Sequence, residues 1–482
     1  MSTIRNFENT IYYTCSNLIP KSDMVKSDNF YKYQKFRKQF KKFSYESFEF
    51  RRLPQSLEIA FNFNLDNIYY FRPVYTIPLK PAINCNNLDE KDLAGIIFHI
   101  GMIELISYWK AACPKVVVIK PFALNEDQKN WWKNLYYQGL GEFFFLNSIR
   151  ASADDFMNIV SASHDVNEKK SFNLDNSNII PVGGGKDSTV TIELLSESKE
   201  KNLLFILNPG KACNDTAETA GYSADQIIEI QRTIDPVLLK MNDEGFLNGH
   251  SPFSALLAFV SLLAAALTGK KNILLSNESS ANESTVRGSA VNHQYSKSYA
   301  FEKDFRDYAG KYISDDFNYF SILRPVNELQ IAKLFSQYLK YHSIFRSCNA
   351  GSKTDSWCGE CPKCLFTAII LSPFISNTDL IGIFGKNILD DNTLLYYFKQ
   401  MYGAEETKPF ECVGTIDDVN MALVMTMQKN NDAIPFLLKH YKESEEYKKY
   451  SKVDSSVLLK QFNSEHFLEE YFEEILKAKL ND

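Results

Sequence analysis

Between residues 43 and 78 apolar and polar side chains alternate, as in Phe48-Glu49-Phe50, Ile59-Ala60-Phe61-Asn62-Phe63 and Tyr69–Ile77. A period of two puts alternate side chains on opposite faces of a strand, so the stretch predicts an antiparallel meander. The spacing then lengthens to helical periods over Leu88–Ala112 and Asn125–Ser148, with a short strand at Val116–Ile119 between them. Together these predict an α+β domain over 43–165, followed by the polar linker His164–Ser177. From Ile179 onward short apolar runs recur at Ile179–Val182, Leu203–Leu207, Ile227–Ile230, Ile273–Ser276 and Phe320–Leu323, most of them separated by helical segments. That rhythm predicts an α/β domain over 170–404 built on a doubly wound parallel sheet. Residues 405–482 read as mainly helical, with Tyr441–Lys452 exposed, and 1–42 as an N-terminal extension whose basic, aromatic stretch Tyr31–Lys42 is a solvated edge.

The longest apolar run, Phe253–Thr268, spans 16 residues between Pro252 and Gly269. A membrane span needs about 20, so this run predicts a helix buried against the sheet. The first residues show no secretory signal, and the expectation is a cytoplasmic protein without a membrane partner. Of 482 residues, 45% are hydrophobic, enough for large cores. The net charge of −6 gives nucleic acid no general attraction.

Residues 183–188 read GGGKDS, directly after an apolar strand and directly before a helix. Glycines at such a junction let backbone N–H groups approach phosphates, and the helix N-terminus adds partial positive charge. The spacing is neither the Walker pattern nor the dinucleotide pattern. It resembles the S-G-G-x-D-S loop of the PP-loop ATP pyrophosphatases, with Gly183 in place of the serine. That family cleaves ATP between the α and β phosphates and transfers AMP. The loop therefore implies ATP as co-substrate, with Gly183, Gly184 and Gly185 as backbone donors, Lys186 as neutralising cation and Ser188 as hydroxyl donor. Asp187 is a candidate for Mg²⁺ or for a helix cap, and Glu278, just beyond the strand Ile273–Ser276, for Mg²⁺, for orienting substrate or for a helix cap.

Four of the nine cysteines crowd into 348–364: Cys348, then Cys358, Cys361 and Cys364 in two overlapping C-x-x-C steps. Clustered thiols in a reducing compartment signal metal chemistry, and four thiolates with no open position suit a structural zinc. An iron–sulfur cluster and a redox dithiol are the alternatives. Such a knuckle predicts an architectural role.

Two enzyme families combine a PP-loop with this cysteine signature. The 7-cyano-7-deazaguanine synthases are one. The chain is more similar to the UDP-N-acetylmuramoyl-L-alanyl-L-glutamate epimerase (MurL) family, through GLGEF at 139–143, GGGKDS at 183–188, NGH at 248–250, SNE at 276–278, VNHQYSK at 291–297, LRP at 323–325, WCGECPKC at 357–364 and KPFECVG at 408–414. The resemblance keeps motif order over nearly all of 43–430. It implies ATP-dependent inversion of the terminal L-Glu of UDP-MurNAc-L-Ala-L-Glu through an acyl-adenylate, with AMP and diphosphate released, for peptidoglycan synthesis. Activation makes sense of the inversion, because an acyl anhydride can accept the charge of a departing α proton and a free carboxylate cannot.

A two-base inversion needs proton carriers on both faces of Cα. His250, His293, Lys297 and Cys412 lie inside the shared motifs, with His293 the first candidate because imidazole titrates near neutrality. Cys412 reads as a thiol base or as a buried structural cysteine. Lys297 and Arg324 are also candidates for binding substrate phosphate or carboxylate. The competing classes are a deazaguanine-type or tRNA-modifying adenylating enzyme and a non-catalytic binding protein. A tRNA enzyme calls for a basic face, which the composition does not show.

Overall fold

The computed structural model describes residues 27–83, 88–352, 354–429 and 434–481. Most of the 1–42 extension thus lies outside the described residues; its end forms a helix, Phe30–Gln39, with Tyr33 buried and Arg37 donating to the carbonyls of Cys113 and Phe156.

Eleven strands form one sheet: β1 Lys42–Arg52, β2 Ser56–Leu65, β3 Tyr69–Phe71, β4 Val74–Pro78, β5 Val116–Ile119, β6 Asn158–Ser161, β7 Asp175–Pro181, β8 Asn202–Leu207, β9 Ile227–Arg232, β10 Lys270–Leu275 and β11 Asn318–Ser321. Their order is β11-β10-β7-β8-β9-β4-β2-β1-β5-β6, with β3 beside β2. The meander is antiparallel as the alternation predicts, but Tyr69–Ile77 is two strands rather than one, broken at Arg72-Pro73, and both pair with β2. Strands β7 to β11 pair only in parallel with one another. Each predicted strand of this half is present, though the last is shifted to Asn318–Ser321, where all four residues are buried. Sequence gave no sign of two features. One is β6, which lies parallel to β5. The other is the antiparallel pairing of β4 with β9 through Tyr75 and Arg232, which joins the two halves of the sheet.

Alternate strand residues point to two separate cores. Ile179, Phe205, Ile228 and Ile273 face one, shared with helices Glu90–Trp109, Phe253–Thr268 and Tyr299–Tyr312. Ile180, Leu204, Ile206 and Leu274 face the other, under helices Lys186–Leu194, Glu328–Ser336, Pro362–Leu371 and Ile416–Lys429. Both faces of the parallel sheet are therefore covered, as its apolar strands require. Glu90–Trp109 has the length and hydropathy of a membrane span, but 83% of its apolar window is buried inside the protein, where it packs on Phe253–Thr268.

The predicted helix Asn125–Ser148 is two helices, Glu126–Gly139 and Gly141–Leu146. The chain breaks at Leu140 between two glycines, where a Cβ on Gly139 would come within 2.7 Å of the Pro252 ring. That close approach carries Glu142 to the loop holding His250. Beyond residue 405 the chain is mainly helical, and its last helix, Glu470–Asn481, packs Phe472 against Phe320 of β11.

Candidate active site

The glycine bend follows β7, and its helix begins at Lys186 with Gly185 as the extended N-cap. Gly184 has φ +73°, and a Cβ there would meet the Ala212–Cys213 peptide at 2.8 Å, so glycine is required by both conformation and space. Nothing lies within 4 Å of a Cβ built on Gly183, which leaves that side of the bend open. Lys186 is buried and ion-paired with both Asp187 and Glu328. Burial opposes its charge, but the two carboxylates win and raise its pKa. Asp187 titrates low: burial pushes it up, and Lys186, Lys363 and Lys297 outweigh that. Glu328 is pushed up to about 8 by burial, against the pull of Lys186. Ser188 Oγ donates to the Gly185 carbonyl at 3.1 Å. Neither Asp187 nor Glu278 caps a helix through its side chain; Glu278 is buried and accepts from Ser280 Oγ at 2.6 Å.

A second group gathers around Cys412, beside the bend. Lys297 Nζ donates to Cys412 Sγ at 3.1 Å. His293 pairs through Nδ1 with Glu142 and lies in the field of the same thiol. His250 Nδ1 stands 3.5 Å from the same Glu142 oxygen, with the two imidazoles 4.6 Å apart. Burial alone would raise the Cys412 pKa, but Lys297, His293 and Lys363 bring it down to about 5. His293 goes the other way: burial disfavours its charge, yet Glu142 and Cys412 lift it to about 10. His250 is pushed down to about 3 by burial, beyond what Glu142 restores. The neutral-pH arrangement is thus a thiolate between an ammonium and an imidazolium, with a neutral imidazole behind. Lys297 also lies in the fields of Glu278 and Asp187, so the thiolate group and the glycine bend form one electrostatic unit.

Arg324 is fully buried and its guanidinium is consumed internally. It pairs with Glu302 at 2.8 Å and donates to the carbonyls of Glu278 at 2.7 Å and Lys297 at 2.6 Å. It positions those two residues and presents no donor outward.

The sulfurs of Cys348, Cys358, Cys361 and Cys364 lie within 4.8 Å of one another, with closest pairs at 3.5 to 3.7 Å. A tetrahedron with metal–sulfur bonds of about 2.3 Å has edges of about 3.8 Å, so the four thiols fit such an ion. Backbone N–H groups of Gly351 and Cys364 point at Cys348 and Cys361 sulfurs, as thiolate ligands favour. The knuckle reaches the site twice. Next to Cys348, the Arg346 N–H donates to the Gly184 carbonyl at 2.8 Å, and Ser347 Oγ stands 2.9 Å from a Cβ built on Gly185. Between Cys361 and Cys364, Lys363 donates to the Cys412 carbonyl.

Glu142, Glu328, Lys363 and Glu411, the last in the field of His293 and Cys412, join this site without having been singled out by sequence. Glu142, Lys363 and Glu411 sit inside GLGEF, CPKC and KPFECVG, so a motif marked their segments; nothing local marks Glu328.

Comparison with known proteins identifies the family. The MurL N-terminal domain family matches residues 34–322 and the MurL C-terminal domain family matches 343–455. A protein of Xanthomonas oryzae pv. oryzae called UDP-N-acetyl-alpha-D-muramoyl-L-alanyl-L-glutamate epimerase is 34% identical over 323 residues, 65% of this chain and 70% of the relative. Proteins of the same name from Micromonospora sp. and Salinispora tropica are each 31% identical, covering 75% and 73% of this chain and 80% and 77% of their own lengths. With both halves matched in order, and the glycine bend, the four cysteines and the Cys412 segment inside the matched spans, the chain belongs to the MurL family.

Proposed function

We propose that this protein inverts the terminal L-Glu of UDP-MurNAc-L-Ala-L-Glu to D-Glu, consuming ATP to AMP and diphosphate through an acyl-adenylate, as an ATP-dependent epimerase of peptidoglycan synthesis with a PP-loop nucleotide site. The relatives' names support the substrate. The observation that carries the rest is the shared field of the two groups: the cation on Cys412, Lys297, is also drawn by Asp187 of the glycine bend.

The open side of Gly183 and the start of helix Lys186–Leu194 would receive the nucleotide phosphates, with backbone N–H groups and the helix dipole stabilising the diphosphate as it leaves. Asp187, Glu278 and Glu328 offer only oxygen donors, which suits Mg²⁺; that ion would screen phosphate charge. Lys186, held between two of these carboxylates, would serve the same end once they have another cation to face. Joining AMP to the glutamate carboxylate removes its charge, and the Cys412–Lys297–His293 group then moves the α proton. Glu142 fixes the His293 ring, and His250, kept neutral, backs it. The four-cysteine knuckle would hold zinc and brace the bend against the Cys412 loop.

The test is turnover of UDP-MurNAc-L-Ala-L-Glu with ATP and Mg²⁺ in D₂O. AMP, diphosphate, D-Glu and deuterium at the glutamate α carbon are expected together; AMP without exchange overturns the epimerase reading. Elemental analysis should find about one zinc per chain, and a metal-free protein of full activity removes the knuckle's assignment.

A further inference from the structure

We infer that Cys412 accepts the activated glutamyl group from the nucleotide, so that inversion takes place on a thioester tethered to its sulfur. This rests on the adenylation reading above and adds a covalent intermediate to it.

The first argument is spatial. Two groups that exchange a proton with opposite faces of one carbon each stand about 3–3.5 Å from it, which places them roughly 6–7 Å apart. Lys297 Nζ is 3.1 Å from Cys412 Sγ, and His293, held by Glu142, stands close enough to act on the same sulfur. Cys412 therefore cannot face either of them across a stereocentre. As the point of attachment it has the right place, because an acyl chain leaving Sγ starts between two proton carriers.

The second argument is the build of the group. A thiol that receives a lysine ammonium, beside an imidazole that is itself held by a carboxylate, is the kind of surrounding by which proteins activate a sulfur nucleophile. The backbone on either side is pinned: Lys363 holds the Cys412 carbonyl, Gln294 Nε2 donates to the Val413 carbonyl at 3.2 Å, and Lys408 donates to that of Gly414 at 3.1 Å. A base need only reach its proton, whereas a nucleophile needs a fixed trajectory.

The third argument is what acylation does to its neighbours. The thiolate charge is the largest influence holding the Lys297 proton, and burial is next and opposes it. Converting the thiolate to a neutral thioester removes the first and leaves burial opposed by the smaller pull of Glu278 and Asp187. The transfer thus loosens the Lys297 proton at the moment a base is needed.

The steps balance. The Cys412 thiolate attacks the acyl carbon; the C–S bond forms, and the C–O bond to the AMP phosphate breaks with its electrons on AMP. Lys297 releases a proton to solvent, takes the α proton, and the His293 imidazolium returns one to the other face. Water then adds to the thioester carbonyl, His293 takes a proton from it, and the C–S bond breaks to restore the thiolate. The carboxylic acid ionises, giving the second proton that hydrolysis of an acyl phosphate releases.

The experiment is rapid acid quench of the full-length enzyme with ATP, Mg²⁺ and substrate radiolabelled in its glutamate, from milliseconds to seconds. Label is expected in the precipitated protein, released by neutral hydroxylamine and mapped by peptide mass to Cys412. Cys412→Ser, close in size, should form AMP without hydroxylamine-labile label or solvent exchange, and circular dichroism like that of the wild type confirms its fold. D-Glu and AMP formed with no protein-bound label at any time overturn the thioester and leave the adenylation reading intact. Absence of AMP from the wild type overturns both.

Discussion

Two buried ionic groups in this molecule are made of similar parts and behave differently. At the seam between β4 and β9, Arg232 forms two bonds of 2.8 Å to Glu104, and Tyr75 donates to the same carboxylate at 2.6 Å. Each charge there has its opposite, and Glu104 is wholly buried. In the Cys412 group the charges also balance, but one of them sits on an atom that ordinarily carries a proton. Low dielectric makes both arrangements costly to disturb. The seam uses that cost to hold two halves of a sheet together; the Cys412 group uses it to keep a thiol ionised. A buried charge is structural when its partners saturate it, and reactive when they hold it in a protonation state that a reaction can discharge.

Breaking each group should separate the two roles. The largest effect is expected from Cys412→Ala, a loss of at least about 10³ in epimerisation by the folded fraction; wild-type turnover of that fraction would make the thiol a core residue. Lys186→Ala should instead abolish AMP formation as well as exchange. Glu104→Ala leaves Arg232 buried without a partner, at a cost of about 3–5 kcal/mol, read by denaturant titration, while turnover of the folded fraction is kept. If Glu104→Ala lowers turnover at constant fold, the seam is not merely structural.

The pH dependence is the next, milder probe. Activity should fall as pH drops through about 5, where Cys412 takes up its proton, and again as pH rises through about 10, where His293 loses its own. A kcat/KM profile with no acid limb near 5 would break the account of the thiolate. The smallest effect concerns stability. His99 is caged by Trp132, Phe259 and Tyr308, and burial pushes its pKa from 6.5 down to about 4. An unfolded imidazole binds a proton below about 6.5 and the folded one does not until about 4, so stability contributed here is lost as pH falls through that window. His99→Phe should flatten the change in denaturation midpoint between pH 7 and 4.5; an unchanged slope would place the acid sensitivity elsewhere.

What sequence disclosed follows from range. The glycine bend, the four cysteines and the strands β7 to β11 are written in neighbouring residues, because strand alternation, helix starts and ligand spacing are local properties. The seam is not, since Tyr75 and Arg232 meet from distant segments. Cys412 shows the limit best. As a letter it reads more readily as core than as a base, and what sets it apart from a core thiol is Lys297, 115 residues earlier. Arg324 fails in the opposite direction: an arginine in a shared motif reads as a substrate ligand, and its donors turn out to be spent on Glu302 and on two carbonyls. Glu328 left no local trace, because its importance comes from the lysine it faces across 142 positions.

The four-thiol knuckle touches the Gly184 carbonyl with one end and the Cys412 carbonyl with the other. It works as a caliper, fixing the gap between the glycine bend and the Cys412 loop. Anyone transplanting this bend into another scaffold must carry the caliper along with it.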